Sequence, residues 1–235
     1  MCGRFNIVDD QAVQALCERL GIDTARWPIR FRNDVAPASR ISMIWEGAEG
    51  RRVDDAIWWL LLELTETGWK PNYRYATFNT RYDKLHKKGS VGYRSFIESR
   101  CIIPASGFVE GLEGTKTYHQ LNGIDEAIAF GGLYRSWLDE KTGEITHSAS
   151  IITLPPHPRF VGIHQKAFPM MIDIGDKNMV DRWLDPGFDR TEAFEDMLVP
   201  RLVTGLEAIP VDRPSRRNPA GDVRLLEADE KINTR

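Results

Sequence analysis

The sequence predicts an α+β fold in one domain: a mostly antiparallel, curled β-sheet with a barrel-like core and a few short helices at its edges. Three observations carry this. Apolar runs of strand length recur along the chain and are separated by Gly, Pro and Asn turns, while few helix-length periodic segments intervene, which argues against a doubly wound sheet. The chain has 235 residues and is 42% hydrophobic, enough for one ordinary core. Finally, residues 1–212 show no internal repeat or linker, and a polar tail with two prolines is expected from residue 213 to 235, its last dozen residues flexible.

Taken in order, Asp9 or Asp10 caps a helix in which Val13, Leu16, Cys17 and Leu20 form an apolar stripe ending at Gly21. Residues 27–37 read as irregular, and Ile41 to Trp45 as a strand. A turn at Gly47 to Gly50 leads into a strand-like run from Val53 to Leu64, where the adjacent Trp58 and Trp59 should face opposite ways, one into the core and one outward. Ser95-Phe96-Ile97-Glu98 resembles a capping box opening a helical turn. Cys101 to Pro104 reads as a buried strand that Gly107 to Gly111 continues. Further strands are expected at Thr117–Leu121, Ala127–Leu133, Ile145–Leu154 and Phe168–Ile172, then helices near Lys177–Leu184 and Thr191–Leu198 and a strand at Leu206–Val211.

Composition narrows the function. There is no run of ~18 apolar residues and no basic region followed by an apolar stretch at the N-terminus, so a soluble, cytoplasmic, unsecreted protein is expected. The three cysteines, at positions 2, 17 and 101, are an odd number without CxxC spacing. Neither a disulfide framework nor a metal site is indicated, a reducing compartment fits, and no cofactor is called for. The net charge of −3 conceals an asymmetry: residues 70–100 hold eight basic side chains against two acidic ones, so this window is +6 and the remainder −9. Aromatic residues interleave the basic ones (Trp69, Tyr73, Tyr75, Phe78, Tyr82, Tyr93, Phe96), a mixture that suits phosphate contact and base stacking along a single strand.

The chain opens Met1-Cys2-Gly3-Arg4-Phe5. Once Met1 is removed, Cys2 carries an amine and a thiol on adjacent carbons, with ordinary pKa values of about 7.7–8.0 and about 8.5. The amine can condense with an aldehyde to an imine, and the thiolate can close onto the imine carbon to give a thiazolidine, a route closed to an internal cysteine. Gly3 permits close approach to the backbone and Arg4 can hold an anion. Glu110, preceded by apolar Phe108 and Val109, could end a buried strand with a raised pKa suited to general acid–base work. His164 follows a proline-rich turn, where an imidazole could shuttle a proton. The Asn79 carboxamide could orient a sugar hydroxyl, with Arg81 on the same strand face reaching the neighbouring phosphate.

Together Met1-Cys2-Gly3-Arg4-Phe5, Asn79-x-Arg81, Gly107-Phe108-x-Glu110 and Gly162-Ile163-His164, in this order, resemble the SOS response-associated peptidase family of abasic-site processing proteins. The resemblance spans roughly residues 2–212. It implies that Met1 is lost, by a peptidase-like self-processing, and that Cys2 crosslinks to the ring-opened aldehyde of an abasic site in single-stranded DNA, with lyase activity possible from the imine. By the same resemblance Asn79 orients the sugar, Arg4 and Arg81 hold flanking phosphates, and Glu110 and His164 move protons. Lys84 and the Trp58-Trp59 pair complete the expected DNA contacts, and a monomer without metal, cofactor or membrane partner is expected. The chain departs from the family pattern in three places. It has Trp58-Trp59-Leu60-Leu61-Leu62 for Trp-Gly-Leu-Ile/Val-Pro, Gly111 where Trp is common, and one extra residue in His164-Gln165-Lys166-Ala167-Phe168-Pro169. Three other readings compete: an N-terminal-nucleophile hydrolase of the glutamine amidotransferase kind, a cysteine peptidase using Cys2 and His164, and a non-catalytic single-strand binder using residues 70–100.

Overall fold

A computed structural model describes residues 3–230. The elements run β1 (Phe5–Ile7), α1 (Gln11–Arg19), β2 (Arg32–Val35), β3 (Arg40–Gly47), β4 (Gly50–Trp58), β5 (Leu62–Thr65), β6 (Gly68–Pro71), β7 (Asn79–Arg81) and α2 (Tyr93–Glu98). They continue with β8 (Arg100–Ala105), β9 (Gly107–Gly111), β10 (Tyr118–Gly123), β11 (Ile128–Leu138), β12 (Ile145–Leu154), β13 (Phe168–Pro169), α3 (Lys177–Leu184), β14 (Leu206–Val211) and β15 (Arg224–Leu226).

Five strands close on themselves. The order β11-β8-β3-β4-β12 returns to β11, because this long strand pairs with β8 through Ile128–Leu133 and with β12 through Gly132–Leu138. β13 and β7 extend the barrel from β12, and only the pairings of β12 with β4 and with β7 are parallel. A second, fully antiparallel sheet runs β15-β14-β10-β9-β1-β2. The two share one core: Phe5 of β1 packs on Trp58 and Phe130 of the barrel at 4.9 and 6.3 Å, and Phe108 of β9 packs on Phe130 at 5.6 Å. Among the described residues, no helix is long and apolar enough to cross a membrane.

α1 follows its sequence signals closely. Asp10 accepts from the Val13 N–H at 2.9 Å, and Val13, Leu16 and Cys17 are buried. The helix ends where Gly21 takes φ +71, with Gly21 N–H bonded to Glu18 O and Ile22 N–H to Cys17 O, the paired bonds of a glycine C-terminal cap. Cys17 and Cys101 are both buried core residues.

Several expectations are corrected. Residues 32–35 of the supposedly irregular segment form β2, because they pair with β1 even though three of the four are exposed. Ser95 caps nothing: α2 begins at Tyr93 after Gly92, and Ser95 is buried. β9 does not continue β8 but joins the other sheet after a break at Ser106. The run from Val53 to Leu64 is two strands, because β4 ends at Trp58. Trp58 and Trp59 are therefore not an in–out pair. Trp58 has no exposed surface and donates to Phe78 O, while Trp59 is 7% exposed, donates to Asn72 O and packs with Ile57 and Leu62 in a satellite cluster. Residues 224–229, expected to belong to a flexible tail, are tied to the fold. β15 pairs with β14, Leu226 is buried, and Asp229 accepts from Leu202 N–H and bonds to the His157 ring, each at 2.8 Å.

Arg100 ties the helical side to the barrel. Its guanidinium is 2% exposed and donates to the carbonyls of Trp183, Phe96, Ile97, Asp185 and Phe188, so each N–H it buries meets an acceptor. Replacing it removes the donor from five carbonyls, those of Trp183 and Phe96 in buried bonds and the other three in part-buried ones. Arg100→Ala should lower the unfolding free energy by about 3 kcal/mol or more, read by urea denaturation. A loss below about 1 kcal/mol would show that water or relaxation satisfies those carbonyls.

Candidate active site

The site begins with the pairing of β1 and β9. Phe5 lies opposite Phe108 and Asn6 opposite Gly107, and the Val109 N–H donates to Arg4 O at 2.9 Å. Extending this antiparallel register brings Gly3 level with Glu110. Gly107 is required for the close approach of β10, since a Cβ there would sit 2.4–2.6 Å from Asn122 Oδ1, Leu121 O and Gln120 Nε2. Side chains alternate along a strand, so Glu110 shares the face of Phe108, which is fully buried. Its carboxyl is carried by that alternation into the apolar interior, where it is 2% exposed, and burial pushes its pKa up to about 7.

His164 reaches the same place from the loop after β12. A 3-10 turn at Pro158–Phe160 is followed by Gly162 in the left-handed region at φ +84, and the His164 N–H bonds back to Phe160 O at 3.0 Å. The buried ring places Nδ1 2.8 Å from Gly111 O, 3.0 Å from Glu113 Oε1 and 3.5 Å from Glu110 Oε2. A carbonyl can only accept, so Nδ1 carries the proton and Nε2 holds the lone pair. Burial pushes the His164 pKa down. The pair is thus a carboxyl that keeps its proton to near neutrality beside an imidazole that stays uncharged, an arrangement able to give and take protons at one point.

Glu113 is a site residue that sequence reasoning misses. It sits in the turn after β9, where Gly114 takes φ +75, and it also accepts from the Gln165 N–H at 3.4 Å. Its spacing of three residues from Glu110 across a glycine turn is the signal that could have found it. Gly111, where the family more often carries Trp, is also explained here. A Cβ at this position would lie 3.0 and 3.1 Å from the Tyr118 ring, so in this chain Tyr118 occupies the space.

The other residues expected at the site are placed by their own strands and partners. The β7 register pairs Asn79 with Ile151, which pairs with Gly132, so Asn79 shares a sheet face with Phe130 and hence with the side that packs on Phe5 and Phe108. Arg81 lies on the same face of β7, largely exposed, and is gripped by both oxygens of Asp83 at 2.9 and 3.0 Å; Lys84 reaches Asp83 at 3.5 Å. Arg4 pairs with Asp34 of β2, which Arg217 also contacts at 3.0 Å. Trp58 is not part of the surface at all, and Trp59 offers almost none. Cys2 lies outside the described residues. Among the described residues no group of three metal-ligating side chains comes together.

A five-stranded barrel packs on a second sheet, in which a buried carboxyl–imidazole pair lies at β9, the neighbour of β1. The chain belongs to the SOS response associated peptidase (SRAP) family, whose model matches residues 1–214. It is 26% identical over 219 residues to the abasic site processing protein YoqW of Bacillus subtilis (strain 168), covering 90% of this chain and 92% of that one. It is 24% identical over 240 residues to the abasic site processing protein YoaM of the same organism, covering 99% and 100%. A solved structure from Bacteroides thetaiotaomicron shares the fold with TM-score 0.66 at 20% identity, over 89% of this chain and 92% of that one. A phage-related protein from Bordetella bronchiseptica does so with TM-score 0.62 at 17% identity, over 93% and 100%.

The raised Glu110 pKa has a consequence for stability. The folded protein holds this proton to about pH 7, whereas an unfolded glutamate releases it near about 4.3, so folding takes up a proton across that window. Glu110 therefore costs stability progressively as pH rises from about 4.3 to about 7, on the order of 3 kcal/mol in all. The difference in unfolding free energy between Glu110→Gln and the wild type should move in favour of the variant by that order between pH 4 and pH 8. His164, whose lowered pKa gives the opposite slope, is common to both proteins and cancels unless the two groups interact. A pH-independent difference would mean that Glu110 titrates alike in the folded and unfolded protein, with its pKa not raised by burial.

Proposed function

We propose that this protein processes abasic sites in single-stranded DNA by forming a thiazolidine between Cys2, freed of Met1, and the ring-opened aldehyde of the damaged sugar. The observation that carries this reading is the buried Glu110 and His164 pair, 3.5 Å apart, with Glu110 on the strand that the β1 register brings level with Gly3 and His164 reaching it from the loop after β12. Cys2 directly precedes Gly3 in the sequence. The relatives named abasic site processing proteins support the choice of an abasic site as the substrate.

Glu110, protonated near neutral pH, gives a proton to the ring oxygen of the hemiacetal while the anomeric hydroxyl loses one, opening the sugar to the aldehyde. The amine of Cys2 adds to the aldehyde carbon, and water leaves after a second protonation, forming the imine. The thiolate then adds to the imine carbon and the nitrogen takes up a proton, closing the thiazolidine. His164, neutral and with Nε2 able to accept, returns protons in both directions and so also serves reversal. Asn79 orients the sugar hydroxyl, while Arg4, Arg81 and Lys84 meet phosphates, for which Asp34 and Asp83 hold the first two in place in the absence of DNA. The stacking expected of Trp58 and Trp59 passes to Tyr73, which is 71% exposed and rests edge-on against Trp59 at 5.2 Å.

Protein of verified N-terminal mass, mixed with a single-stranded oligonucleotide carrying one abasic site, should give a denaturant-stable adduct without added reductant. Cys2→Ala should give none; an adduct that survives this change, or no adduct from protein lacking Met1, sinks the proposal. Glu110→Gln should slow adduct formation by about 100-fold or more while binding to undamaged single strands is unchanged. Equal loss of both would reassign Glu110 to structure. With His164→Ala, preformed adducts should outlast those of the wild type when excess competitor DNA is added, and unchanged release would remove the histidine from the reverse reaction.

A further inference from the structure

β11 runs on past its last pairing with β8, at Leu133 opposite Arg100, and the edge it leaves there joins α2 in bounding a cavity of about 450 Å3. The wall includes Arg94, Glu98 and Ser99 from the helix and its C-terminus, and Arg135, Ser136 and Trp137 from the strand. None of these residues belongs to the site described above.

The charges on this wall do not cancel. Two guanidinium groups face one carboxylate, and Glu98 is already engaged by Arg94 Nε at 2.6 Å. Arg135 is half-buried, and its hydrogen-bond partner among the described residues is the Val91 carbonyl, with the guanidinium carbon 5.8 Å from the Trp137 ring centroid. No carboxylate among the described residues pairs with it. A guanidinium has five N–H donors in a fixed fork, so Arg135 keeps donors in hand after the Val91 contact. Arg100 shows the alternative in the same protein, since main-chain carbonyls surround its buried guanidinium. Burial and the positive charge of Arg94 both push the Arg135 pKa down, as expected of a half-buried guanidinium beside a second arginine. Exposed Ser136 and the neighbouring Ser99 also line the space, with the Ser136 hydroxyl bonded to His147 Nδ1 at 3.0 Å.

We propose that this cavity is an anion site that takes a phosphate group, with Arg135 as its fork and Arg94 as the second cation. A planar guanidinium beside a second arginine, with hydroxyls around them, matches the several acceptor oxygens of a phosphate better than a single carboxylate. The phosphate has two possible sources: a diester of a bound DNA strand, or a small phosphorylated molecule. Only the first rests on the function proposed above.

The test uses the full chain and three probes: inorganic phosphate, adenosine monophosphate and an undamaged oligothymidylate of about 15 nucleotides. Ser136→Asp puts a carboxylate at an exposed position of the wall, and Ser136→Asn serves as its uncharged control of similar size. Inorganic phosphate should raise the melting midpoint of the wild type and of Ser136→Asn, measured against sulfate-free chloride at equal ionic strength. Binding by Ser136→Asp should weaken at least about tenfold. If oligothymidylate affinity falls with it, the phosphate belongs to DNA; if adenosine monophosphate binding falls while oligothymidylate is unaffected, it belongs to a small molecule. No phosphate-dependent shift in the wild type, or an equal shift in Ser136→Asp and Ser136→Asn, overturns the site. Adduct formation on the abasic oligonucleotide, followed in parallel, reports separately on the function proposed for Cys2.

Discussion

The structure of the site depends on the antiparallel pairing of β1 with β9. This short ladder, with Phe5 opposite Phe108 and the Val109 N–H on Arg4 O, does two things at once. It buries the aromatic pair that joins the second sheet to the barrel, through Trp58 and Phe130, and it sets Gly3 level with Glu110. A one-residue slip would turn Phe108 and Glu110 to the other face, so the apolar packing that stabilises the fold also holds the acid in position. The position of Glu110 is thus a by-product of core packing.

The protonation states around Glu110 follow from the same burial. Desolvation raises the carboxyl and lowers the imidazole, so both groups favour their neutral forms near neutral pH. Gly111 O and Glu113 converge on Nδ1 of His164 and leave Nε2 as the basic atom. The glycine at 111 matters for this geometry, because its missing side chain admits Tyr118 while its carbonyl holds the ring.

The basic window at residues 70–100 separates into groups with different physical roles. Arg100 is an internal tie saturated by carbonyls, Arg94 leans on Glu98, and Arg81 and Lys84 share Asp83. The aromatics separate likewise: Phe96 is fully buried, while Tyr73 and Tyr75 are exposed at 71% and 52%. A count of charges and rings along the sequence sums these roles together.

By itself the sequence determined what is encoded locally. The α1 cap at Asp10 and its stop at Gly21, the strands Ile145–Leu154 and Leu206–Val211, and α3 were legible because caps, alternation and turn residues act within a few positions. The apolar approach to Glu110 announced a buried carboxyl for the same reason. Tertiary structure decided what depends on partners distant in the chain. β2 is a strand only because β1 pairs with it, and β15 only because β14 does. Trp59 is buried because β4 stops at Trp58 and a hairpin folds over it, which no periodicity records. Glu113 joins His164 across about fifty residues of sequence, and Arg135 lines a cavity that exists only once α2 packs beside the free edge of β11. Side-chain alternation and capping are properties of neighbouring residues, whereas burial, charge pairing and the closure of a barrel are properties of the space that distant segments enclose together.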